Sequence, residues 1–427
     1  DKGSAIMLLY PEESAGWNGR MWLTAHGAGP SFRDGSLKPW DKNYNPADTW
    51  RDISKHERLM LSKGFALAKT RRSAHKDRGD ITVTFDDGTR AQERNLTEQP
   101  KMLLGWGLLA ENVMKARLGK EPSRTYWYGH SSGARPGRLV NYQPGLNKGA
   151  DGKPIIDGIL AGDSGAGMWQ PILHENGKDV LFTIPEDRAR FVKQIETSHM
   201  LYWNTTEDDP PSYATRDYLA NKRLNARVLR DKGLGDKHRV YEIEGISHSG
   251  GEYLPEGKRA PDVDILDVSR VMDAMIDLLD NWVEKGIEPP PSMSSWHELG
   301  DLDKDGVIEN PAIRLPELAC PTGIYAPYPP SGKDAGITET FFTPFDGKEL
   351  EPLDGRGLFV DMNFTRVRDF RETIDQAWIR LGLLKPGERF SKDAYNACVK
   401  KSLETLKARK LLTPRVHEFY TQRMKTN

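Results

Sequence analysis

The chain has 427 residues, and its 61 basic and 62 acidic side chains give a formal net charge of -1. Such a balance leaves no global field to attract nucleic acid or an anionic membrane, and no apolar run approaches the roughly 20 residues of a membrane span. Because a single hydrophobic core usually stops growing near about 250–300 residues, the length predicts one large domain and an appended region.

Short apolar or aromatic runs alternate with helical patterns over about the first 285 residues, which is typical of an α/β protein. The predicted strands are Ala5–Tyr10, Arg20–Ala25, Phe65–Lys69, Arg124–Tyr128, Ile155–Leu160, His199–Trp203 and Arg239–Glu244. A helix is predicted over Asp264–Glu284, where apolar side chains recur every three to four residues. Residues 165–197 exceed the about 2–6 residues of an ordinary strand-to-helix connection and predict a cap insertion.

Three consecutive prolines, Pro289 to Pro291, stop the preceding helix and begin a stiff linker. We therefore predict a catalytic domain over residues 1–287 and a C-terminal extension over residues 288–427. The extension is rich in proline and glycine at first, and then shows helical periodicity at Phe370–Leu383 and Ala394–Arg409.

The cysteines and the first residue of the chain are relevant to the cellular compartment of the protein. Cys320 and Cys398 are the two cysteines of the chain, and neither lies in a CxxC or Cys/His metal pattern. They could form one bridge in an oxidising compartment or remain two buried thiols. Because the chain opens at Asp1 rather than at methionine, we expect a processed, secreted or periplasmic protein, or else a trimmed chain.

The pattern Gly129-His130-Ser131-Ser132-Gly133 follows a predicted strand and precedes a helix-compatible run. In a nucleophile elbow, the serine lies on a tight strand-to-helix turn, where glycines avoid the clash that a Cβ atom would make. The N–H groups of the following helix N-terminus face the developing negative charge. We therefore predict Ser131 as a nucleophile.

A glycine-rich loop, His26-Gly27-Ala28-Gly29, follows the predicted strand Arg20–Ala25. The oxyanion that forms when a carbonyl is attacked needs two N–H donors, one after the nucleophile and one from an earlier loop. Ser132 and Ala28 are the candidate donors, with Gly27 as a further candidate. Taken alone, the loop is also compatible with an ordinary glycine-rich turn.

Another loop, Gly245-Ile246-Ser247-His248-Ser249-Gly250, follows the last predicted strand. A general base must reach the serine and remain free to transfer a proton, and a loop histidine with small neighbours meets both needs. Of ten histidines, His248 alone falls where the order Ser, Asp, His places the base. We predict His248 as the base and interpret His130, beside the serine, as structural.

The acid that orients the imidazole is predicted in the cluster Glu207, Asp208 and Asp209, which follows the predicted strand His199–Trp203. Asp208 fits the usual G-T-x-D-P type of loop best and is our candidate. Glu207 and Asp209 stay open as alternatives. Asp163, after the preceding strand, is a further alternative because some hydrolases place their acid there.

Two other motifs are weaker. Gly162-Asp163-Ser164-Gly165 spells the tetrapeptide around a trypsin-type nucleophile, but that fold requires an all-β chain with its His and Asp earlier. We therefore interpret Ser164 as part of the exit from a core strand.

Alternating carboxylates at Asp301, Asp303 and Asp305 resemble half of a calcium loop, but Ala312 stands where an EF-hand needs glutamate. A solvated turn is favoured over structural calcium, and no other cofactor is predicted.

These loops resemble those of α/β-hydrolase superfamily serine esterases over about residues 5–285, in the family's order. The resemblance implies a mostly parallel twisted sheet flanked by helices, with a cap insertion and a C-terminal helical extension. The run Asp303-Lys304-Asp305-Gly306 followed by Ile313-Arg314-Leu315-Pro316-Glu317 is similar to the D-x-D-G…IRLPE signature of a bacterial α/β-hydrolase-domain family. The elbow is also similar to those of tannases and feruloyl esterases, but His130 and Ser249 replace their bridging cysteines.

The predicted activity is carboxylic ester hydrolysis through an acyl-enzyme. Trp169 in the cap and Trp203 beside the acid loop would favour a bulky or aromatic ester, from a small molecule or a polymer. The same triad would serve an amidase or peptidase. A different class of protein, a non-catalytic hydrolase scaffold that binds carbohydrate or polymer, also stays open.

Overall fold

The computed structural model describes a little over half of the chain. The described residues are 6–10, 16–26, 53–70, 81–84, 90–93, 100–130, 133–142, 146–163, 172–175, 178–181, 191–198, 229–230, 233–243, 263–264, 267–292, 313–322, 324–325 and 373–426. No helix in these ranges is long and apolar enough to cross a membrane.

The described part contains a central sheet of seven strands and several short strand pairs. The seven strands are β1 (Ile6–Leu9), β2 (Arg20–His26), β3 (Ala66–Thr70), β6 (Arg124–His130), β7 (Gly158–Gly162), β10 (Lys193–Ser198) and β11 (His238–Glu242), in the order β1-β3-β2-β6-β7-β10-β11. The short pairs are β4 (Ile81–Thr84) with β5 (Arg90–Glu93), β8 (Ile172–Glu175) with β9 (Lys178–Leu181), and β12 (Val263–Asp264) with β13 (Ile324–Tyr325).

The centre of the sheet is parallel. β2 pairs in parallel with both β3 and β6, and β6 pairs in parallel with β7, while the edge strand β1 is antiparallel to β3. Parallel strands need helical crossovers, which leave helices on both faces of the sheet. The predicted α/β class, with a mostly parallel sheet flanked by helices, is confirmed.

Helices flank this sheet, and further helices lie in the C-terminal part of the chain. The described helices are α1 (Lys55–Ser62), α2 (Pro100–Leu118), α3 (Ala134–Tyr142), α4 (Ser269–Lys285), α5 (Pro316–Ala319), α6 (Ile374–Arg380), α7 (Lys392–Ala408) and α8 (Pro414–Thr426). One core cluster joins Met21, Leu23 and Trp127 to apolar residues of α2. On the other face, Trp22 packs on Tyr126 with ring centroids 4.9 Å apart. Successive side chains of each strand point to opposite faces of the sheet, so both faces carry an apolar layer.

One strand of the sheet is not among the strands predicted from the sequence. The sheet strand after β7 is β10, Lys193–Ser198, whereas the predicted strand His199–Trp203 lies outside the described residues. Residues 193–197, which we expected to close the cap insertion, therefore belong to the sheet. The reason is local: β10 is polar in sequence, yet Gln194 and Glu196 are fully buried because partners on α3 satisfy them.

The chain divides into two compact units. One comprises Asp1–Glu196, Asn225–Arg239 and Leu279–Ile287, and the other comprises Thr197–Leu224, Val240–Leu278 and Glu288–Asn427. In the second unit, α6, α7 and α8 pack around Trp378, Val399 and Tyr420. Cys320 and Cys398 form a disulfide bond there, which resolves the alternative that the sequence left open. The division into a catalytic domain, 1–287, and an extension, 288–427, stays a prediction.

Candidate active site

Most of the predicted site residues lie outside the described part of the chain. These are Ser131, Ser132, Gly27, Ala28, His248, Asp208, Glu207, Asp209, Ser164, Trp169, Trp203, Asp301, Asp303 and Asp305. Their roles stay predictions. What the structure does define is the strands and helices that flank them, and these set where the loops begin and end.

The end of β6 and the start of α3 lie very close together. β6 ends at His130, and α3 begins at Ala134. A Cβ atom added to Gly129 would lie 2.1 Å from the Gly133 carbonyl oxygen and 2.7 Å from the Ala134 Cα, closer than a side chain can tolerate. The chain therefore reverses so sharply after β6 that glycine is required at residue 129.

The helix after this turn lies directly on the strand before it. A Cβ atom added to Gly137 would lie 2.2 Å from Cδ1 of Trp127, so the backbone of α3 touches the indole. Trp127 is fully buried in β6. Glycine at residues 129 and 137 thus allows the close strand-to-helix packing that a nucleophile elbow requires.

A buried ion pair fixes α3 to the sheet. Arg138 Nη2 donates to Glu196 Oε2 at 2.6 Å, and both side chains are at most 1% exposed. Glu196 Oε1 also lies 2.6 Å from Gln194 Nε2 and 3.2 Å from His238 Nε2. One helix turn later, Asn141 accepts from the Val192 N–H at 2.8 Å and donates to Gln194 at 3.0 Å. Polar groups of β10, supported by His238 of β11, therefore fix the position of α3, the helix that follows Ser131 in the sequence.

The loop predicted to supply an oxyanion donor starts beside the elbow. In the parallel pairing of β2 with β6, Ala25 is opposite Gly129 and His26 is opposite His130. Since the carboxyl ends of parallel strands meet at one edge of a sheet, β2 and β6 end at the same level of that edge. This register supports the pairing of the two loops.

A second polar network supports the end of β2. Glu57 is buried in α1 and accepts from Thr24 Oγ1 at 2.6 Å and from Lys69 Nζ at 2.8 Å. Its other contact is with Ser54, with which it forms a capping box at the start of α1. The sequence carries a signal for this motif, Ser54-x-x-Glu57, that our strand-based prediction did not use.

Tyr128 links the elbow strand to α1. Its hydroxyl lies 2.8 Å from His56 Nδ1, and both side chains are buried. A Cβ atom added to Gly162 at the end of β7 would lie within 3.4 Å of both Tyr128 and His130. Aromatic rings from β6 therefore lie close beside the end of β7, and a side chain at residue 162 would fit only if these rings shifted by a few tenths of an ångström.

Among the candidate acids, Asp163 is the one that the structure describes. It follows β7 directly, is fully buried and has φ of +34°. A positive φ is unfavourable for a residue with a Cβ atom and persists where the surroundings impose it. Because His130 pairs with Gly162, Asp163 leaves β7 one residue beyond the level at which β6 enters the elbow.

The described residues with raised carboxyl pKa values lie at the opposite edge. Burial raises the pKa of Asp157 to about 6, although a hydrogen bond from the Thr125 N–H and the charge of Arg124 both lower it. Burial also raises the pKa of Glu111, which accepts a hydrogen bond from Thr125. Asp157 precedes β7 and Arg124 begins β6, so this group lies at the amino ends of the strands and away from the predicted site.

A family model described as an alpha/beta hydrolase domain matches residues 108–356, which is more than half of the chain. The chain belongs to this alpha/beta hydrolase family. The matched region includes the elbow turn, β7, β10, β11 and the helix α4. Membership agrees with the sheet order and with the predicted superfamily. A search of curated proteins finds no match for this alpha/beta hydrolase.

Three solved structures illustrate the proteins whose chain folds in a similar way. MGS-M1, an alpha/beta hydrolase enzyme from a Medee basin deep-sea metagenome library, is 11% identical over 67% of this chain and 93% of its own, with a TM-score of 0.38. Esterase 2 of Thermogutta terrifontis is 13% identical over 67% and 91%, with a TM-score of 0.37. The poly(3-hydroxybutyrate) depolymerase LpqC of Bordetella parapertussis is 13% identical over 67% and 87%, with a TM-score of 0.36. At such low values, the family assignment rests on the family model.

In the described ranges, no group of three or more His, Cys, Asp or Glu side chains could hold a metal ion. The aspartates considered for calcium, Asp301, Asp303 and Asp305, are outside those ranges. The described polar clusters instead support strands and helices. They fix the carboxyl edge of the sheet from which the predicted catalytic loops depart.

Proposed function

We propose that this alpha/beta hydrolase cleaves carboxylic esters with Ser131 as nucleophile, His248 as general base and Asp208 as the acid that orients it. The observation that carries the proposal is the approach of Gly129 to Gly133 and Ala134, with 2.1 Å between a Cβ at residue 129 and the Gly133 oxygen. A sharp turn between a buried strand and a helix, with serine at its centre, is the architecture of a nucleophile elbow.

The proposed reaction has two stages. His248 removes the proton from Ser131, whose oxygen attacks the acyl carbonyl, and the N–H groups of Ser132 and Ala28 or Gly27 stabilise the oxyanion. Collapse of this intermediate releases the alcohol, which takes the proton from His248, and leaves an acyl-enzyme. Water then gives a proton to His248 and attacks the acyl carbon. The second collapse releases the acid and returns the proton to Ser131.

The order of strands supports the assignment of roles. Ser131 follows β6, the acid cluster at residues 207–209 comes after β10, and His248 follows β11, so each comes after a strand of one sheet. Ligands and catalytic residues of open α/β sheets gather outside the carboxyl ends of the strands. Asp163 stays an alternative acid because it is buried at the end of β7.

The substrate is proposed as a bulky or aromatic ester, bound through Trp169 and Trp203 by stacking and apolar burial. Such an ester could be a small molecule or a fragment of a polymer. A panel of nitrophenyl and aryl esters, from acetyl to feruloyl groups and aryl polyester fragments, tests this part. Equal kcat/KM values for acetyl and feruloyl esters would contradict it.

Kinetics of four variants test the triad. Ser131→Ala and His248→Ala should reduce nitrophenyl ester hydrolysis to the background rate with folding retained, because each removes a reacting group. Asp208→Asn should lower kcat by orders of magnitude, and Asp163→Asn serves as its matched comparison. If Asp163→Asn has the larger effect, the acid is Asp163. Parallel rates on an ester and its matching amide separate esterase from amidase activity.

The cysteines support a proposal for the compartment in which the protein works. Disulfide bonds persist in oxidising environments such as the periplasm or the extracellular space, and are rare in the cytosol. The bond between Cys320 and Cys398 supports a secreted or periplasmic location for this hydrolase. Fractionation of the producing cells, with a cytosolic marker enzyme as the control, tests this proposal. Recovery of the protein with the cytosolic marker would contradict it.

A further inference from the structure

The segment that carries His248 is anchored at both ends by one stretch of the C-terminal region. Ile243, which follows β11, forms a parallel bridge with Ile313, whose N–H donates to the Glu242 carbonyl oxygen at 2.9 Å. At the other end, β12 (Val263–Asp264) pairs in parallel with β13 (Ile324–Tyr325). Residues 313–325, which we name the clamp segment, thus pair with the chain immediately before and after residues 244–262.

The clamp segment begins with the Ile-Arg-Leu-Pro-Glu motif, residues 313–317, for which the sequence suggested no role. Ile313 and Leu315 are buried, and Leu315 precedes α5, whose first residue is Pro316. Proline is favoured at the first position of a helix because its missing N–H would have no partner there. The motif therefore forms a strand contact followed at once by a short helix turn.

Glu317 is the centre of a buried ion cluster. Its carboxylate is 3% exposed and accepts from Arg270 Nη1 and, at 3.0 Å, from Arg423 Nη1. The Tyr420 hydroxyl donates to its other oxygen at 2.7 Å. Burial lowers the pKa of Arg270, but the Glu317 carboxylate together with Tyr420 and Asp267 outweighs this effect, so the Arg270 pKa is raised. The cluster joins the clamp segment to the start of α4 and to α8.

Aromatic rings and a disulfide complete the attachment. The Arg270 guanidinium lies 4.3 Å from the Phe419 ring centroid, a cation–π contact with α8. Cys320 is bonded to Cys398 of α7, and the Trp378 indole donates to the Pro321 carbonyl oxygen at 2.7 Å. The clamp segment is thus held by α4, α6, α7 and α8.

Burial of a carboxylate between helices carries a desolvation penalty. Replacement of buried ion pairs by apolar residues is often neutral or stabilising, so such pairs are poor evidence of stability alone. Three donors around Glu317, from Arg270, Arg423 and Tyr420, do, however, favour one position for the clamp segment. That position determines where residues 243 and 263–264 lie, and hence where the loop with His248 starts and ends.

We propose that the clamp segment, with Glu317 as its main positioning residue, holds the His248 loop in the arrangement in which the imidazole can take the proton of Ser131. This role rests on the proposed function of His248 and assigns the C-terminal region a part in catalysis. Misplacement of a catalytic group by about 1 Å can cost about 100-fold in rate. Glu317 acts through the loop and does not touch the substrate.

The test compares Glu317→Gln and Tyr420→Phe with Arg389→Gln in the full chain. Arg389 forms an ion pair with Asp375 at 2.7 Å in the same region, but its side chain is 85% exposed and lies outside the Glu317 cluster. Each protein is titrated to completion with a fluorophosphonate, so that kcat for a nitrophenyl ester is expressed per reactive serine. The rate of labelling is measured separately.

We expect Glu317→Gln to lower kcat per titrated site and the labelling rate together by about 10-fold or more, with KM changed little. Tyr420→Phe should act in the same direction but less, and Arg389→Gln should change neither rate. If Glu317→Gln does not fold, Tyr420→Phe decides. Fewer titratable sites with wild-type rates per site would show a purely structural role and overturn the proposal.

Failure of the proposed function would look different. In that case Ser131→Ala would retain hydrolysis, or the wild type would not be labelled, whatever the Glu317 variants do. If Ser131→Ala is inactive while Glu317→Gln and Tyr420→Phe keep wild-type rates per site, the esterase assignment survives and the clamp proposal fails.

Discussion

The guanidinium of Arg138 and the carboxylate of Glu196 form a fully buried ion pair, with Nη2 and Oε2 separated by 2.6 Å. Arg138 lies on the helix that follows the predicted nucleophile, and Glu196 lies on β10. The pair therefore connects the elbow helix to a strand two places beyond β6 in the sheet. Its removal should affect both the stability of the fold and the geometry of the elbow.

Loss of one partner leaves an uncompensated buried charge. Glu196→Gln should lower the free energy of unfolding by about 3–5 kcal/mol, whereas Lys115→Gln should change it by no more than about 1 kcal/mol. Lys115 is a suitable control because its ion pair with Glu121 on the surface is more than half exposed. Urea unfolding of the three proteins provides the measurement. Equal effects of the two substitutions would show that the buried pair does not stabilise α3.

The tight turn after β6 can be tested with a single methyl group. Gly129→Ala places a Cβ atom 2.1 Å from the Gly133 oxygen, so the turn must shift. We expect a fall in kcat of about 100-fold, since a displacement near 1 Å suffices for such a loss. Ester hydrolysis by the folded variant is the measurement.

Gly105→Ala is the matched control for that substitution. An added Cβ at Gly105 on α2 meets nothing within 4 Å. Alanine there should leave activity unchanged and should stabilise the helix by up to about 1 kcal/mol. A wild-type kcat for Gly129→Ala would contradict the requirement for glycine in the turn.

Asp157 gives the stability a defined pH dependence. Burial raises its pKa in the folded protein to about 6, above the value of about 4 expected in the unfolded chain. Between these values the folded state binds more protons, so this contribution is present below about pH 4 and is lost as the pH rises to about 6. Asp157→Asn should remove this decline in the free energy of unfolding. Between pH 4 and pH 7 the variant should become more stable than wild type by up to about 3 kcal/mol.

Urea unfolding at several pH values measures this difference, and Asp151→Asn provides the control. A hydrogen bond from the Lys153 backbone lowers the pKa of the exposed Asp151, so its linkage has the opposite sign. Asp151→Asn should therefore leave the decline above pH 4 in place. The Asp157 account fails if Asp157→Asn follows the same pH profile as wild type.

The disulfide should stabilise the second unit. Because Cys320 and Cys398 are 78 residues apart, the chain-entropy model predicts that the bond stabilises the fold by about 4.5 kcal/mol. The double substitution Cys320→Ser, Cys398→Ser should lower Tm under non-reducing conditions. Dithiothreitol should reproduce the shift in wild type and have no effect on the double variant. Wild type that melts at the same temperature with and without reductant would contradict the prediction.

Apolar patterning predicted the class of the fold and most of its described strands. Short apolar and aromatic runs predicted strands at Arg20–Ala25 and Arg124–Tyr128, which the structure extends to His26 and His130. Periodicity predicted a helix over Asp264–Glu284, whereas the helix runs over Ser269–Lys285. It starts late because the Asp267 carboxylate accepts from the Ser269 N–H at 2.9 Å, a local cap that hydropathy does not reveal.

The features that the sequence did not predict depend on buried polar residues. The strand Lys193–Ser198 has the sequence of a polar connection. Its burial is favourable because distant residues, among them Arg138 and Asn141 of α3, supply hydrogen-bond partners. Glu317 likewise looks like a surface residue until Arg270, Arg423 and Tyr420 are brought to it. Such partners are far apart in sequence, so no local pattern shows them.

Peptide mapping after fluorophosphonate labelling tests the central claim most directly. An activated serine reacts with the probe, whereas an ordinary serine does not. The account predicts one label on the wild-type chain, at Ser131, and none on a folded Ser131→Ala variant, whose hydrolysis of nitrophenyl esters falls to background. A label at another residue, or hydrolysis retained by Ser131→Ala, would contradict the account.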